Sequence, residues 1–335
     1  VIDSMARVLR WAERAMAPGA RVTGVRGLRA GSNPWLVRVG GAGAADAAVL
    51  RVCPVDDPNR GEYAPQVAAL LLAERHDLPA PRLIAADLDG EATGAVAVLT
   101  TVVPGTSRIP RVASRERLRA LGAAAASLRT AVVEPGADLP ARRWAIDVED
   151  PGVLMARDAP GSSPLLAEAV DRVNRLPVPD GPTAFVHGDL WQGNTMWVGD
   201  TFAGFIDWDC AGVGSPGVDL GNLRCDATIL FGGSAADQVL AGWEEVAGQD
   251  VAGQDVAGQD RTTDRAEVAT RQADHWVAYW DLVGALSTPA DVAAWLPLMH
   301  EEGRTDLTGE TVNHRRDAFL RHALDRLPGR SPEPG

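Results

Sequence analysis

The run Phe185-Val-His-Gly-Asp-Leu-Trp-Gln-Gly-Asn-Thr-Met-Trp197 sets three polar side chains at fixed spacing: His187, Asp189 and, five positions further on, Asn194. Eighteen residues after Asp189 comes Asp207, which closes a second apolar stretch in Phe205-Ile206-Asp207-Trp208-Asp209. A carboxylate can orient an acceptor hydroxyl and take its proton. A nucleoside triphosphate needs Mg²⁺, a hard cation held by oxygen ligands. An aspartate and an asparagine on one loop, with a second aspartate on the adjacent strand, meet both needs at once. The chemistry they would serve is phosphoryl transfer.

These side chains must be delivered by short strands that end in loops. Segments 184–186, 195–198 and 202–206 read as such strands, each apolar and flanked by turn residues. Upstream, residues 1–20 form an amphipathic helix that stops at Pro18-Gly19. Strands are expected at 21–28, 35–39, 47–52, 82–87 and 95–103, with a helix over 62–76 inserted before the fourth. The fold class is α+β: a five-stranded antiparallel sheet plus one long helix, then a mostly helical second lobe. Helices are expected at 114–130 and 164–175, and over most of the chain from 207 to 327. The expected division is a first lobe at 1–103, a second at 104–328 and a frayed tail at 329–335. Val-Ala-Gly-Gln-Asp occurs three times in tandem at 246–260. A glycine in every unit opposes helix and strand alike, so the repeat reads as a surface loop without chemistry.

Length and composition narrow the function classes. The 335 residues suffice for about two domains. Acidic side chains number 45 against 32 basic ones, net −13, which disfavours nucleic-acid binding. No apolar run approaches the ~18 residues of a membrane span, and the first residues lack a signal-peptide core, so a cytoplasmic location is expected. Cys53, Cys210 and Cys225 are too few and scattered for a disulfide framework or a zinc site. All 32 basic residues are arginine. Any chemistry that ordinarily uses lysine must use another group here.

The residues 187–194, 206–209 and Gly214-Ser-Pro-Gly-Val-Asp219-Leu resemble the aminoglycoside phosphotransferase and choline kinase-like family, over nearly the whole chain. That resemblance implies a two-lobed protein-kinase-like fold. It implies Asp189 as catalytic base, Asn194 and Asp207 as Mg²⁺ ligands, and His187 and Asp219 as braces of the loop. Asp219 could equally cap the helix that follows it. Asp209 is either a substrate or metal contact or a solvated turn residue.

The resemblance places a phosphate-covering loop at Ala30-Gly-Ser-Asn33, so Ser32 and Asn33 become nucleotide contacts, although the same residues make an ordinary hairpin turn. In kinases the third strand carries a lysine that grips the α- and β-phosphates and pairs with a helix glutamate. Arg51 is the only candidate on that strand, and Glu62 its expected partner. Arginine grips phosphate through a planar fork, so the exchange is not conservative. The hinge around Thr101 and Val103 should meet a purine edge, that of ATP or GTP. The acceptor is expected to be a small hydroxyl compound, aminoglycoside-like or otherwise cationic. Choline, a sugar and an amino alcohol are the alternatives, and a catalytically silent nucleotide-binding module is a further one. Trp276, Trp280 and Asp281 are expected to wall the acceptor site, through cation–π contact and ion pairing. A monomer or a homodimer is expected.

Overall fold

The protein is described by a computed structural model covering residues 2–29, 32–41, 46–142, 163–252 and 263–327. Its first lobe opens with α1 (Ile2–Met16), followed by β1 (Arg21–Arg29), β2 (Ser32–Gly40) and β3 (Ala47–Cys53). Then come α2 (Tyr63–Arg75), β4 (Leu83–Asp87) and β5 (Val96–Thr100). The five strands form one antiparallel sheet in the order β1-β2-β3-β5-β4. Side chains alternate across a strand, so each face has its own cover. Ala48 and Leu50 of β3, with Ala97 and Leu99 of β5, pack under Val8 and Ala12 of α1. The opposite face carries Val96 and Val98 of β5 against Tyr63 of α2. Arg51 lies on that second face, directly across from Val98, and so points toward the cleft between the lobes.

The second lobe contains α3 (Arg115–Leu128), β6 (Ala141–Arg142), α4 (Pro164–Arg175), β7 (Ala184–Val186), β8 (Thr195–Val198), β9 (Thr201–Phe205) and β10 (Gly212–Gly214). It ends with α5 (Gly217–Phe231), α6 (Ala235–Ala252), α7 (Thr263–Leu286), α8 (Leu296–Glu301) and α9 (Gly309–Arg326). Helix α5 is buried along nearly its whole length and contributes to two hydrophobic cores. Leu70 and Leu72 of α2 join the first of these cores, so that helix ties the lobes together. Among the described residues no helix is long and apolar enough to cross a membrane.

Three expectations need adjusting. The fifth strand ends at Thr100 rather than 103: Thr101 N–H still reaches the Arg82 carbonyl at 2.9 Å, but Arg82 N–H goes to the Thr101 hydroxyl at 2.8 Å in place of the Thr101 carbonyl, and the ladder closes there. The sheet of β6, β10 and β7 was not legible, since Gly212–Gly214 has no strand-forming pattern and β6 is two residues long. The tandem repeat begins as helix: residues 246–252 are the end of α6, and 253–260 lie outside the described residues. A helix already nucleated on a packed face tolerates a glycine at about 1 kcal/mol. The tail at 329–335 also lies outside the described residues.

Candidate active site

The β8–β9 hairpin explains why residues far apart in number come together. Thr195 pairs with Phe205, and the ladder continues one step when Ile206 N–H donates to the Asn194 carbonyl at 2.9 Å. Asn194 and Asp207 therefore emerge side by side at one end of the hairpin. The short 3₁₀ turn Gln192–Asn194 then folds Asn194 back on its own loop. Its Nδ2 donates to the Asp189 carbonyl at 2.8 Å and to Asp189 Oδ2 at 3.1 Å. Asp207 has φ 67°, a left-handed conformation that aspartate tolerates better than most residues and that re-aims its carboxylate after the strand.

Asp219 holds the other end of the loop. Its carboxylate accepts from His187 N–H at 2.8 Å and from Gly188 N–H at 2.9 Å. The residue lies in the first turn of α5, whose N-cap is Pro216, so the bracing role describes it and the capping role does not. Burial pushes the Asp219 carboxyl up to about 6, and the two backbone donors oppose that rise. Gly188 adopts φ 84°, and a Cβ there would collide with the Cys210 carbonyl, so only glycine lets β7 turn this tightly into the loop. His187 is fully buried against Trp208, with ring centroids 4.6 Å apart, and its Nε2 meets the Ile206 carbonyl at 2.9 Å. Burial lowers its pKa to about 4, which keeps the ring neutral and makes it a brace between the two site loops.

From the sheet above, Arg51 spans both aspartates of the second stretch. Nη1 lies 2.6 Å from Asp207 Oδ1 and Nη2 lies 2.9 Å from Asp209 Oδ2. Burial alone would lower the Arg51 pKa, but these two carboxylates more than offset it and hold it above the ordinary value. Burial, then Asp207, raise that of Asp209. Asp209 is thus neither a solvated turn residue nor remote from the site: it anchors the guanidinium. The expected Arg51–Glu62 pair is not formed. Glu62 is exposed at the start of α2, and the fork is already satisfied by two carboxylates. The α2 residues that line the cleft are Gln66, one turn on from Tyr63, and Leu70; the Gln66 Oε1 is buried and takes no hydrogen bond among the described residues. Its place on the buried face of α2 could have been found from helical period.

Between the lobes lies a cleft of about 400 Å³. Arg51 and Asp207 line one part of it, Leu36 and Val49 the sheet side, and Met196 and Ile206 the second-lobe side. Thr101 and Val103 also line it, as expected of a hinge. The Thr101 N–H is committed to the Arg82 carbonyl, so at that residue only the backbone carbonyl could meet a base. Asn33 is occupied structurally: its Oδ1 accepts from Val52 N–H at 3.0 Å and its Nδ2 lies 3.5 Å from the Tyr63 hydroxyl. Residues 30 and 31 lie outside the described residues, as does the side chain of Ser32.

The expected acceptor wall is corrected. Trp280 is 1% exposed and wedges into the lower core against Gly217. Asp281, also 1% exposed, binds Arg224 Nε at 2.7 Å and Nη2 at 3.0 Å. Trp276 is half-buried and packs on both cores, its ring 6.4 Å from that of Trp280. The i, i+4 spacing put the two indoles on one face correctly, but that face meets α5 rather than the cleft. Replacing Asp281 by alanine strands a buried guanidinium. We expect a loss of about 3–5 kcal/mol in chemical denaturation, with the acceptor KM of the folded fraction unchanged.

Below the loop, Asp226 of α5 accepts from Gln192 N–H at 3.0 Å, and burial raises its pKa to about 7. A carboxyl raised on folding binds more protons in the native state, so its contribution is present below the unfolded pKa and is lost as pH rises toward 7. Asp226→Asn keeps an acceptor for Gln192 and escapes that loss. Its stability relative to the parent should therefore increase between pH 4 and 7, at up to about 1.4 kcal/mol per pH unit, in denaturation series at matched pH.

A sequence profile of the APH family, described as the phosphotransferase enzyme family, matches residues 24–257. A sequence search of curated proteins finds no match. Among solved structures, the chain resembles a candidate aminoglycoside phosphotransferase from Ralstonia eutropha JMP134 at 14% identity and TM-score 0.60, covering 96% of this chain and 98% of that one. It resembles the amicoumacin kinase hAmiN, solved with AMP-PNP, Ca²⁺ and its ligand, at 12% identity and TM-score 0.57, covering 97% and 96%. The macrolide 2′-phosphotransferase MphH from Brachybacterium faecium follows at 17% identity and TM-score 0.52, covering 90% and 99%. Such identities speak to the fold, which is the two-lobed kinase-like one. The profile spans most of the chain, from the first strand through both site loops, and on that ground the protein belongs to the phosphotransferase enzyme family.

Proposed function

We propose that this enzyme moves the γ-phosphoryl group of ATP or GTP to a hydroxyl of a small acceptor. The first lobe, 1–103, would carry the nucleotide and the second, from 104, the catalytic loop and the acceptor. The observation that supports this best is one corner of the cleft: Asn194 bonded to Asp189, Asp207 beside them on the hairpin, and Arg51 overhead.

The donor set suits Mg²⁺. Among the described residues no three His, Cys, Asp or Glu side chains cluster as a metal cage. Mg²⁺ is ordinarily held by one or two protein oxygens together with substrate phosphates, a set that one carboxylate and one amide oxygen can supply. Asp207 would offer a carboxylate oxygen, and its carboxylate already faces a cation in Arg51. Asn194 points its Nδ2 at Asp189, so its Oδ1 is the atom it would offer. When bound, the ion would offset triphosphate charge and so ease attack on the γ-phosphorus.

The protein's own groups account for the remaining steps. Arg51 would add positive charge at the phosphates once the arm held by Asp207 turns to them, while Asp209 keeps the other arm. Asp189, fixed in direction by Asn194, orients the acceptor hydroxyl in line with the γ-phosphorus. It takes the hydroxyl proton as the new O–P bond forms and the bond to the β-phosphate's bridging oxygen breaks. No covalent phospho-enzyme is required, because positioning and charge supply most of the rate.

For the acceptor, the net −13 charge favours a cationic compound such as an aminoglycoside. The related structures are named for antibiotic acceptors, macrolide and amicoumacin among them. A silent binding module is the second reading, and the Arg51 bridge across Asp207 and Asp209 is what favours it. Nucleotide release measured over a panel of aminoglycosides, macrolides, choline and amino alcohols separates the two. Acceptor-dependent release supports the kinase, whereas binding of Mg²⁺–nucleotide with no release on any acceptor supports the silent module.

A further inference from the structure

The outer edge of the cleft carries polar groups that the reading above does not use. Just past the hinge, Ser107 Oγ donates to Glu302 Oε2 at 2.9 Å. Two residues further on, Ile109 N–H donates to the Glu302 carbonyl at 2.7 Å. The segment that follows the hinge is thereby fastened to the residue that follows α8. Both side chains are half-buried, and both line the same cleft as Arg51 and Asp207. Among the described residues Glu302 pairs with no cation, and its Oε1 takes no hydrogen bond.

The chemistry of this edge is specific. The Ser107 hydroxyl spends its proton on Glu302, so toward the cleft it can only accept. Glu302 Oε1 also only accepts. Two acceptors side by side complement a ligand with two adjacent donors. If the base meets the hinge and the triphosphate meets Arg51 and Asp207, the sugar lies between them, beside the segment just past the hinge. Its neighbouring 2′- and 3′-hydroxyls are such a pair of donors.

We propose that Glu302 and Ser107 form a ribose subsite, in which the vicinal diol of the nucleotide donates to Glu302 Oε1 and Ser107 Oγ. This rests on the donor reading above and assigns a nucleotide contact to the C-terminal part of the chain, beyond the hinge and the catalytic loop. Hydrogen bonds to a charged acceptor are worth about 1.5–3 kcal/mol, or roughly 10- to 150-fold in affinity. A site built to receive a hydroxyl penalises the analogue that lacks it.

The test is calorimetric titration of the full chain, in Mg²⁺, with ATP, 2′-deoxy-ATP and 3′-deoxy-ATP, and with the guanosine series alongside. The parent should bind the ribonucleotide at least about 10-fold more tightly than at least one deoxy analogue. Glu302→Ala should bring ribo and deoxy forms to within about three-fold, since only the neutral serine acceptor is left. Glu302→Gln, nearly isosteric, should show an intermediate ratio and serves if the alanine variant does not fold. Equal affinity of the parent for all three overturns the proposal while leaving the nucleotide site standing. No nucleotide binding by the folded parent overturns the donor reading and this proposal with it. If Glu302→Ala keeps the ribo preference and instead raises the acceptor KM, the carboxylate serves an ammonium group and the proposal is wrong.

Discussion

Asp189→Asn is expected to lower kcat by about 10²- to 10⁴-fold while leaving the affinity for Mg²⁺–nucleotide within about two-fold of the parent. The amide keeps an oxygen toward Asn194 Nδ2, so the loop geometry, set by that bond and by Asp219 on the His187 and Gly188 N–H groups, should survive. What is lost is the ability to take the acceptor proton. The check is steady-state kinetics on any acceptor that the panel identifies, paired with nucleotide titration of the same preparation. A drop in nucleotide affinity equal to the drop in kcat would make Asp189 a binding residue instead.

Asp207→Ala should act on the other half of the site. The parent, saturated with nucleotide at about 100 times Kd, gains roughly 2.7 kcal/mol of stability, visible as a thermal shift. The part of that shift that depends on Mg²⁺ should vanish in the variant. Arg51 keeps Asp209 at 2.9 Å, but alanine fits the φ of 67° less well than aspartate, so the nucleotide-free variant should melt somewhat below the parent, and its metal-dependent shift is read against its own nucleotide-free melt. A metal-dependent shift that persists in Asp207→Ala would move the cation to other ligands.

Much of this site was legible because it is local. His187, Asp189 and Asn194 share one loop, and Asp207 lies across a hairpin whose two strands alternate and turn as their residues dictate. Arg51 was legible by elimination, as the one cation on the third strand of a chain without lysine. Its partners were not. Whether it would reach up to Glu62 or down to Asp207 and Asp209 depends on how the lobes meet, and no residue pattern encodes that distance. The same limit explains Trp280 and Asp281: helical period gives a shared face, whereas the identity of the neighbour is a tertiary fact. Glu302 stayed hidden for the opposite reason. It is the second of two adjacent glutamates at the end of a six-residue helix, and only the fold brings it to Ser107.

One ion shared by Asp207 and Asn194 at the edge of a nucleotide-filled cleft is central to the proposed chemistry. A crystal structure of the chain with Mg²⁺ and a non-hydrolysable ATP analogue examines that point directly. The expected density places both side-chain oxygens on a single Mg²⁺ that also touches the phosphates, with the Asp189 carboxylate facing the γ-phosphoryl group and Arg51 turned from Asp207 toward the phosphates. A nucleotide bound with its phosphates outside this corner, Arg51 still closed on Asp207 and no metal between Asp207 and Asn194, would contradict it.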